Sequence, residues 1–122
     1  MTTIYLTDDE PVPIRVLKMT LEREGYEVES FLNGKETLAR VRDQFPDVLI
    51  TDIEMPVMTG KELCRKITEE FPDRTFPIFV VTAVTNLQHR EWARKIPNLT
   101  FVEKPVSMRR LTDKLNEMLS EQ

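Results

Sequence analysis

Four short, continuous apolar runs punctuate the chain, at Ile4 to Leu6, Val48 to Ile50, Ile78 to Val81 and Leu99 to Val102, and a weaker alternating run lies at Tyr26 to Phe31. Runs this short, rich in Val and Ile, read as strands. Between them apolar residues recur three or four apart: Ile14, Leu17 and Leu21; Leu38, Val41 and Phe45; Leu63 and Ile67; Leu111, Leu115, Met118 and Leu119. That spacing predicts helices with one buried stripe. Residues 86 to 95 are helical in composition, although their stripe of Leu87, Trp92 and Ile96 is thin. Gly25 stands where the first helix should stop, and Gly34 and Gly60 where the second and third should start.

A strand followed by a helix, five times over, predicts a parallel sheet covered on both faces, because each parallel crossover must return over the sheet. The expected fold class is doubly wound α/β, with five parallel strands and five helices. In such a sheet ligands bind beyond the carboxyl ends of the strands.

The bulk numbers narrow this without redirecting it. At 122 residues, 40% hydrophobic and 31% charged, the chain fits one folded domain across residues 1–122. Its net charge is -4, with Lys and Arg scattered, so no basic stripe exists for a nucleic-acid backbone. No apolar run approaches membrane-spanning length, and no basic-then-apolar leader opens the chain, so a cytoplasmic protein without a membrane partner is expected. Cys64, the single cysteine, reads as a small packing residue. His89, the single histidine, reads as a surface residue between Gln88 and Arg90, and Trp92 as a packing residue.

Chemistry collects at the strand ends. Asp8, Asp9 and Glu10 follow the first strand, Asp52 ends the third, Thr82 and Ala83 end the fourth, and Lys104 and Pro105 follow the fifth. Each alone has a plain structural reading: an acidic pair after a strand caps a helix or makes a turn, and Thr favours strands. Together, on one edge of a sheet, they suggest more. Clustered carboxylates repel unless a cation or a proton joins them. Mg²⁺ prefers a few hard oxygen ligands completed by water and phosphate. A Lys and a Thr hydroxyl would hold phosphoryl oxygens. A carboxylate in line with phosphorus can act as a nucleophile and form an acyl phosphate, and Asp52, at the end of the central strand, is the best candidate.

These residues resemble the receiver domain of bacterial response regulators along essentially the whole chain. Asp8-Asp9-Glu10-Pro11 looks like the family's acidic loop, and Asp52 to Gly60, with Met55-Pro56, like its phosphorylation loop. Thr82-Ala83 and Lys104-Pro105 look like its switch and lysine motifs. The resemblance implies a flavodoxin-like sheet of order 2-1-3-4-5 and a phosphoryl group taken by Asp52 from a histidine kinase, a phosphotransfer protein or a small phosphodonor. It implies Mg²⁺ held by Asp9, Asp52 and the backbone carbonyl of Glu54, with Asp8 assisting through water. Thr82, Ala83 and Lys104 would bind the phosphoryl group, Phe101 would be the aromatic switch residue, and Lys104-Pro105 is a candidate cis bond. Glu54 and Val84, two residues after the acceptor and the switch Thr, would tune the phosphoryl lifetime. The face of the fourth helix, fifth strand and fifth helix, with Thr85, Leu87, Arg90, Phe101, Glu103 and Lys114, would change on phosphorylation and meet an effector, an output domain or a second copy. Its alternative reading is an ordinary solvated face. The connection Ile96-Pro97-Asn98 departs from the family pattern and leaves the fourth helix's geometry open.

Two other functions compete. A Mg²⁺-dependent phosphatase with an Asp nucleophile would commonly carry a second Asp two residues on, where this chain has Glu54, and no substrate-covering insertion is visible. A binding module working without phosphorylation would not need the full set of Asp8, Asp9, Asp52, Thr82 and Lys104. The preferred reading is a signalling switch, not an enzyme, with at most self-phosphorylation and autodephosphorylation.

Overall fold

The computed structural model describes residues 2–82, 87–104 and 106–120, with the side chains of residues 87–90 and 120 left aside. Five strands, β1 (Thr3–Thr7), β2 (Glu27–Phe31), β3 (Val48–Asp52), β4 (Ile78–Thr82) and β5 (Leu99–Glu103), form one sheet of order β2-β1-β3-β4-β5. Every neighbouring pair is parallel. The helices are α1 (Pro11–Arg23), α2 (Gly34–Asp43), α3 (Gly60–Glu70) and α4 (Met108–Ser120).

The sheet has two dry faces, which explains why its strands read as unbroken apolar runs. Tyr5, Leu49, Ile78 and Val80 point to one side, into a core completed by Leu38, Val41, Leu63, Cys64 and Ile67 from α2 and α3. Ile4, Leu6, Val48, Ile50, Phe79 and Val81 point to the other, against Ile14 and Leu21 of α1 and Leu111 and Leu115 of α4. The two-residue period of a strand is therefore present, but hidden because both phases are hydrophobic.

Helix ends follow their local chemistry. Pro11 opens α1, where its missing N–H costs nothing. At the other end Gly25 takes φ +95, and the N–H groups of Gly25 and Tyr26 return to the carbonyls of Glu22 and Leu21, a left-handed closure that favours Gly. Asn33 caps α2 by accepting from the Glu36 N–H at 2.9 Å. Thr59 caps α3 through a reciprocal box with Glu62.

One expectation needs correction. Among the described residues there are four α-helices, not five: the stretch Leu87–Lys95 is a 3-10 helix. Its thin apolar stripe offers little packing to reward α geometry, and reach favours the tighter winding. Nine residues span roughly 18 Å in 3-10 form against about 14 Å as an α-helix, and a crossover must run back along a strand of about 17 Å. The stretch is pinned at its far end. Arg74, buried ahead of β4, donates to the Phe76 carbonyl at 2.5 Å and to the Pro97 carbonyl, tying the entries of β4 and β5 together.

Candidate functional site

The parallel register delivers the strand ends in a row. Thr7 pairs with Thr51, Asp52 with Val81, and Thr82 with Glu103. Two more ladder-type bonds extend the outer pairs by one residue: the Asp8 N–H donates to the Phe31 carbonyl at 3.1 Å, and the Lys104 N–H to the Thr82 carbonyl at 2.9 Å. Asp8 and Lys104 are thus fixed by sheet geometry on either side of Asp52.

Asp52 is buried, 8% exposed. One carboxylate oxygen accepts from the Ile53 N–H at 2.7 Å, and the other from the Lys104 ammonium at 3.1 Å. Asp8, half-buried, accepts from the Glu10 N–H at 3.0 Å. One carboxylate oxygen each from Asp8, Asp9 and Asp52 lies within 4.8 Å of the others. Burial pushes the Asp8 carboxyl above its usual range; the Glu10 N–H opposes the rise, and the Asp52 charge adds to it. For Lys104 burial works against the ammonium, but the hydrogen bond and charge of Asp52, then Asp8 and Glu10, outweigh it and raise its pKa.

A cavity of about 540 Å³ opens on this cluster, lined by Asp9, Glu10, Asp52, Ile53, Glu54, Met55, Pro56, Thr59, Thr82 and Lys104. Its β3–α3 wall is held by a 2.7 Å bond from the Gly60 N–H to the Ile53 carbonyl and by the buried Met55 and Met58. Between these, Pro56 and Met58 close a three-residue turn at 2.7 Å, which forces Val57 out to 75% exposure at φ 70. Beside Asp52 a second, mainly apolar groove of about 750 Å³ runs between α1 and the start of α4.

Asp8, Asp9, Asp52 and Lys104 are therefore brought together as the sequence predicts, with Thr82 and Glu54 on the same cavity. Phe101 lies on β5, half-buried, with its ring edge-on to Trp92 at 5.9 Å. Glu103 and Lys114 are exposed, and the Lys114 ammonium lies 5.9 Å from the Phe79 ring centre. Ala83, Val84, Thr85 and Pro105 lie outside the described residues, as do the side chains of Leu87, His89 and Arg90. Sequence reasoning assigned Glu10 no role, although it lines the cavity; its signal was its place beside the acidic pair.

A sequence model of the response regulator receiver domain matches residues 4–116. The chain belongs to this family.

Receiver domains are signalling modules of two-component systems, and the sheet order found here is theirs. The chain is similar to the protein PilH of Pseudomonas aeruginosa, 28% identical over 120 residues that cover 98% of this chain and 99% of that one. It is 32% identical to the transcriptional regulatory protein CreB of Escherichia coli, over 96% of this chain and 50% of the relative. It thus spans about half the length of several curated relatives that it matches. Among solved structures, a CheY-like receiver domain protein of Methanospirillum hungatei superimposes with a TM-score of 0.89 at 30% identity, covering 99% of this chain and 95% of that one. Chemotaxis protein CheY4 of Vibrio cholerae gives 0.86 at 28%, covering 96% and 98%. Among the described residues no helix is long and apolar enough to cross a membrane.

Proposed function

We propose that this receiver domain is a switch thrown by phosphorylation of Asp52. The observation that carries the reading is the state of that carboxylate: nearly buried at the end of the central strand, held at one oxygen by a backbone N–H, and directed by the other toward Lys104 at the floor of an open acidic cavity. A buried nucleophile held at both oxygens needs little reorganisation before attack.

The donor set suits Mg²⁺. Asp8, Asp9 and Asp52 supply hard carboxylate oxygens close together, no Cys or His joins them among the described residues, and the open cavity leaves room for water and phosphate. The Glu54 carbonyl would complete the protein's share. When bound, the ion would offset the mutual repulsion of the carboxylates and the charge on phosphoryl oxygens.

An Asp52 oxygen attacks phosphorus, and the bond to the leaving group breaks on the opposite side, toward the cavity mouth. Lys104 exchanges part of its bond with Asp52 for one to a phosphoryl oxygen, and the Thr82 hydroxyl, at the cavity wall, donates to another. Movement of Thr82 would free space for Phe101 to turn inward, away from Trp92, altering the face around β5 that an effector, an output domain or a second copy would read. Val84 and Glu54 would tune the lifetime of the acyl phosphate. The physiological donor would be a histidine kinase or phosphotransfer protein in the cytoplasm.

Incubation with Mg²⁺ and a small phosphodonor, followed by intact mass measurement, tests this. The wild type should gain one phosphoryl mass, and Asp52→Asn or a chelator should abolish the gain. Labelling that persists in Asp52→Asn would reject the assignment.

A further inference from the structure

Helix α1 carries an apolar stripe on its outer side. Val12 is 69% exposed, Val16 54% and Met19 48%. They lie four and then three positions apart, so they form one line along the helix. Ile14 and Leu21, buried against the sheet, occupy the opposite side. The helix is thus apolar twice over, once toward the core and once toward water. Single exposed apolar residues are ordinary, but a row of them marks a surface that pairs.

The two flanks of the stripe differ. On one side it runs into the groove between α1 and the start of α4, where Pro13, Leu17, Val106 and Met108 line the wall. On the other stand Arg15 and Glu22, both exposed. Among the described residues neither of these side chains has an ion pair or a hydrogen bond.

Alternate spacing of four and three is that of the seam between two paired helices. Extended to Arg23, the series Val12, Val16, Met19, Arg23 has the same spacing read in either direction. A second copy of α1 laid antiparallel therefore meets it in register: Val16 against Met19, and Val12 against the aliphatic stem of Arg23. Two-fold symmetry in that arrangement brings like flanks together. Arg15 then faces Glu22 of the second copy, and Glu22 faces its Arg15, giving two ion pairs from one alignment. A parallel copy would set these charges beside Pro13 and Thr20, with nothing to answer them.

We propose that the outer face of α1 is a homodimer surface, on which a second copy of this chain docks antiparallel over Val12, Val16 and Met19. The contact needs no phosphoryl group. Because α1 packs on β1 and β2, it leaves the face around β5, at the other edge of the sheet, open to a different partner. One helix pair buries less than the roughly 1,600 Å² of a standard interface, so the association is weak and needs concentrated protein.

Sedimentation equilibrium of the unphosphorylated full chain, from about 20 µM to about 1 mM, should show the mass rising from one chain toward two. Val16→Glu, a helix-compatible change at an exposed site, should keep the protein monomeric throughout. Arg15→Glu and Glu22→Arg each turn both attractions into repulsions, and each should weaken association roughly tenfold. Mixed in equal amounts, these two variants regain opposite charges at both contacts and should associate about as strongly as the wild type. Melting curves check that every variant folds. A wild type that stays monomeric at about 1 mM overturns the proposal and leaves the stripe to a helix of some other chain. Wild-type association that Val16→Glu does not weaken refutes it by placing the dimer on another face. A mixture that associates no more strongly than its parts refutes the antiparallel register.

Discussion

Gly60 lies against the backbone of Asp52: a Cβ placed on Gly60 would stand 2.0 Å from the Asp52 carbonyl oxygen and 2.9 Å from its carbonyl carbon. The first residue of α3 is therefore pressed onto the strand that carries Asp52, the proposed acceptor. Because the obstacle is backbone, no side-chain rotation can relieve the clash. Gly60→Ala should lower stability by about 2–4 kcal/mol, measured by urea unfolding, and should slow labelling of Asp52 by displacing the β3–α3 loop. A variant as stable as wild type would show that α3 can retreat from β3.

Asp8 supplies a pH dependence with a defined sign. Burial raises its carboxyl pKa in the folded state, so the native chain holds that proton more firmly than the unfolded chain does. The resulting stability is fully present below the unfolded Asp value, about 3.9, and is lost as pH rises through the raised folded value. In a chelator at pH 7, Asp8→Asn should melt a few degrees higher than wild type, and the two should converge in acid. Mg²⁺ should reverse the order at pH 7, since the variant lacks one carboxylate of the proposed Mg²⁺ site. A wild type that melts above Asp8→Asn in chelator contradicts this account.

Val57 is a β-branched residue in left-handed backbone, largely exposed and so poorly compensated by packing. Gly would release roughly 1–2 kcal/mol of backbone strain and forfeit about 0.5–1 kcal/mol through the greater freedom of the unfolded chain. Val57→Gly should thus stabilise the protein by about 0.5–1 kcal/mol, seen as a higher urea midpoint at unchanged slope. A loss of stability would mean that the side chain packs in solution.

Cys64 is fully buried under α3, and burial pushes its thiol up to about 12. Iodoacetamide at pH 8 should leave the native protein unmodified over hours and alkylate it within minutes in denaturant. Rapid native alkylation would reveal local opening of α3.

The strands, the two-sided core and the alignment of Asp8, Asp52, Thr82 and Lys104 were legible because each rests on short-range pattern plus one topological rule. Apolar runs mark strands, and parallel strands present their carboxyl ends on one edge. Residues 87–95 were not legible as 3-10, because the choice between winding modes depended on the distance the crossover must cover, which composition does not carry. Val57 escaped for a related reason. Its conformation follows from Met55 and Met58 being buried on either side of it, a tertiary demand against local preference. Arg74 resembles any surface arginine in sequence, and only the fold shows its head group spent on the carbonyls of Phe76 and Pro97. Glu10 follows Asp8 and Asp9 at a helix start, where an acid is ordinary, and only the fold places it on the cavity.

Lys104 reaches Asp52 across 52 positions of sequence, and it sits just past β5, the outermost strand on its side of the sheet. During translation the three aspartates emerge long before their counter-charge. Among the described residues Lys104 is the cation on this cavity, so in a nascent or truncated chain ending ahead of residue 104 the carboxylate cluster would lack it, and the strand added last also makes the acidic pocket tolerable to the fold.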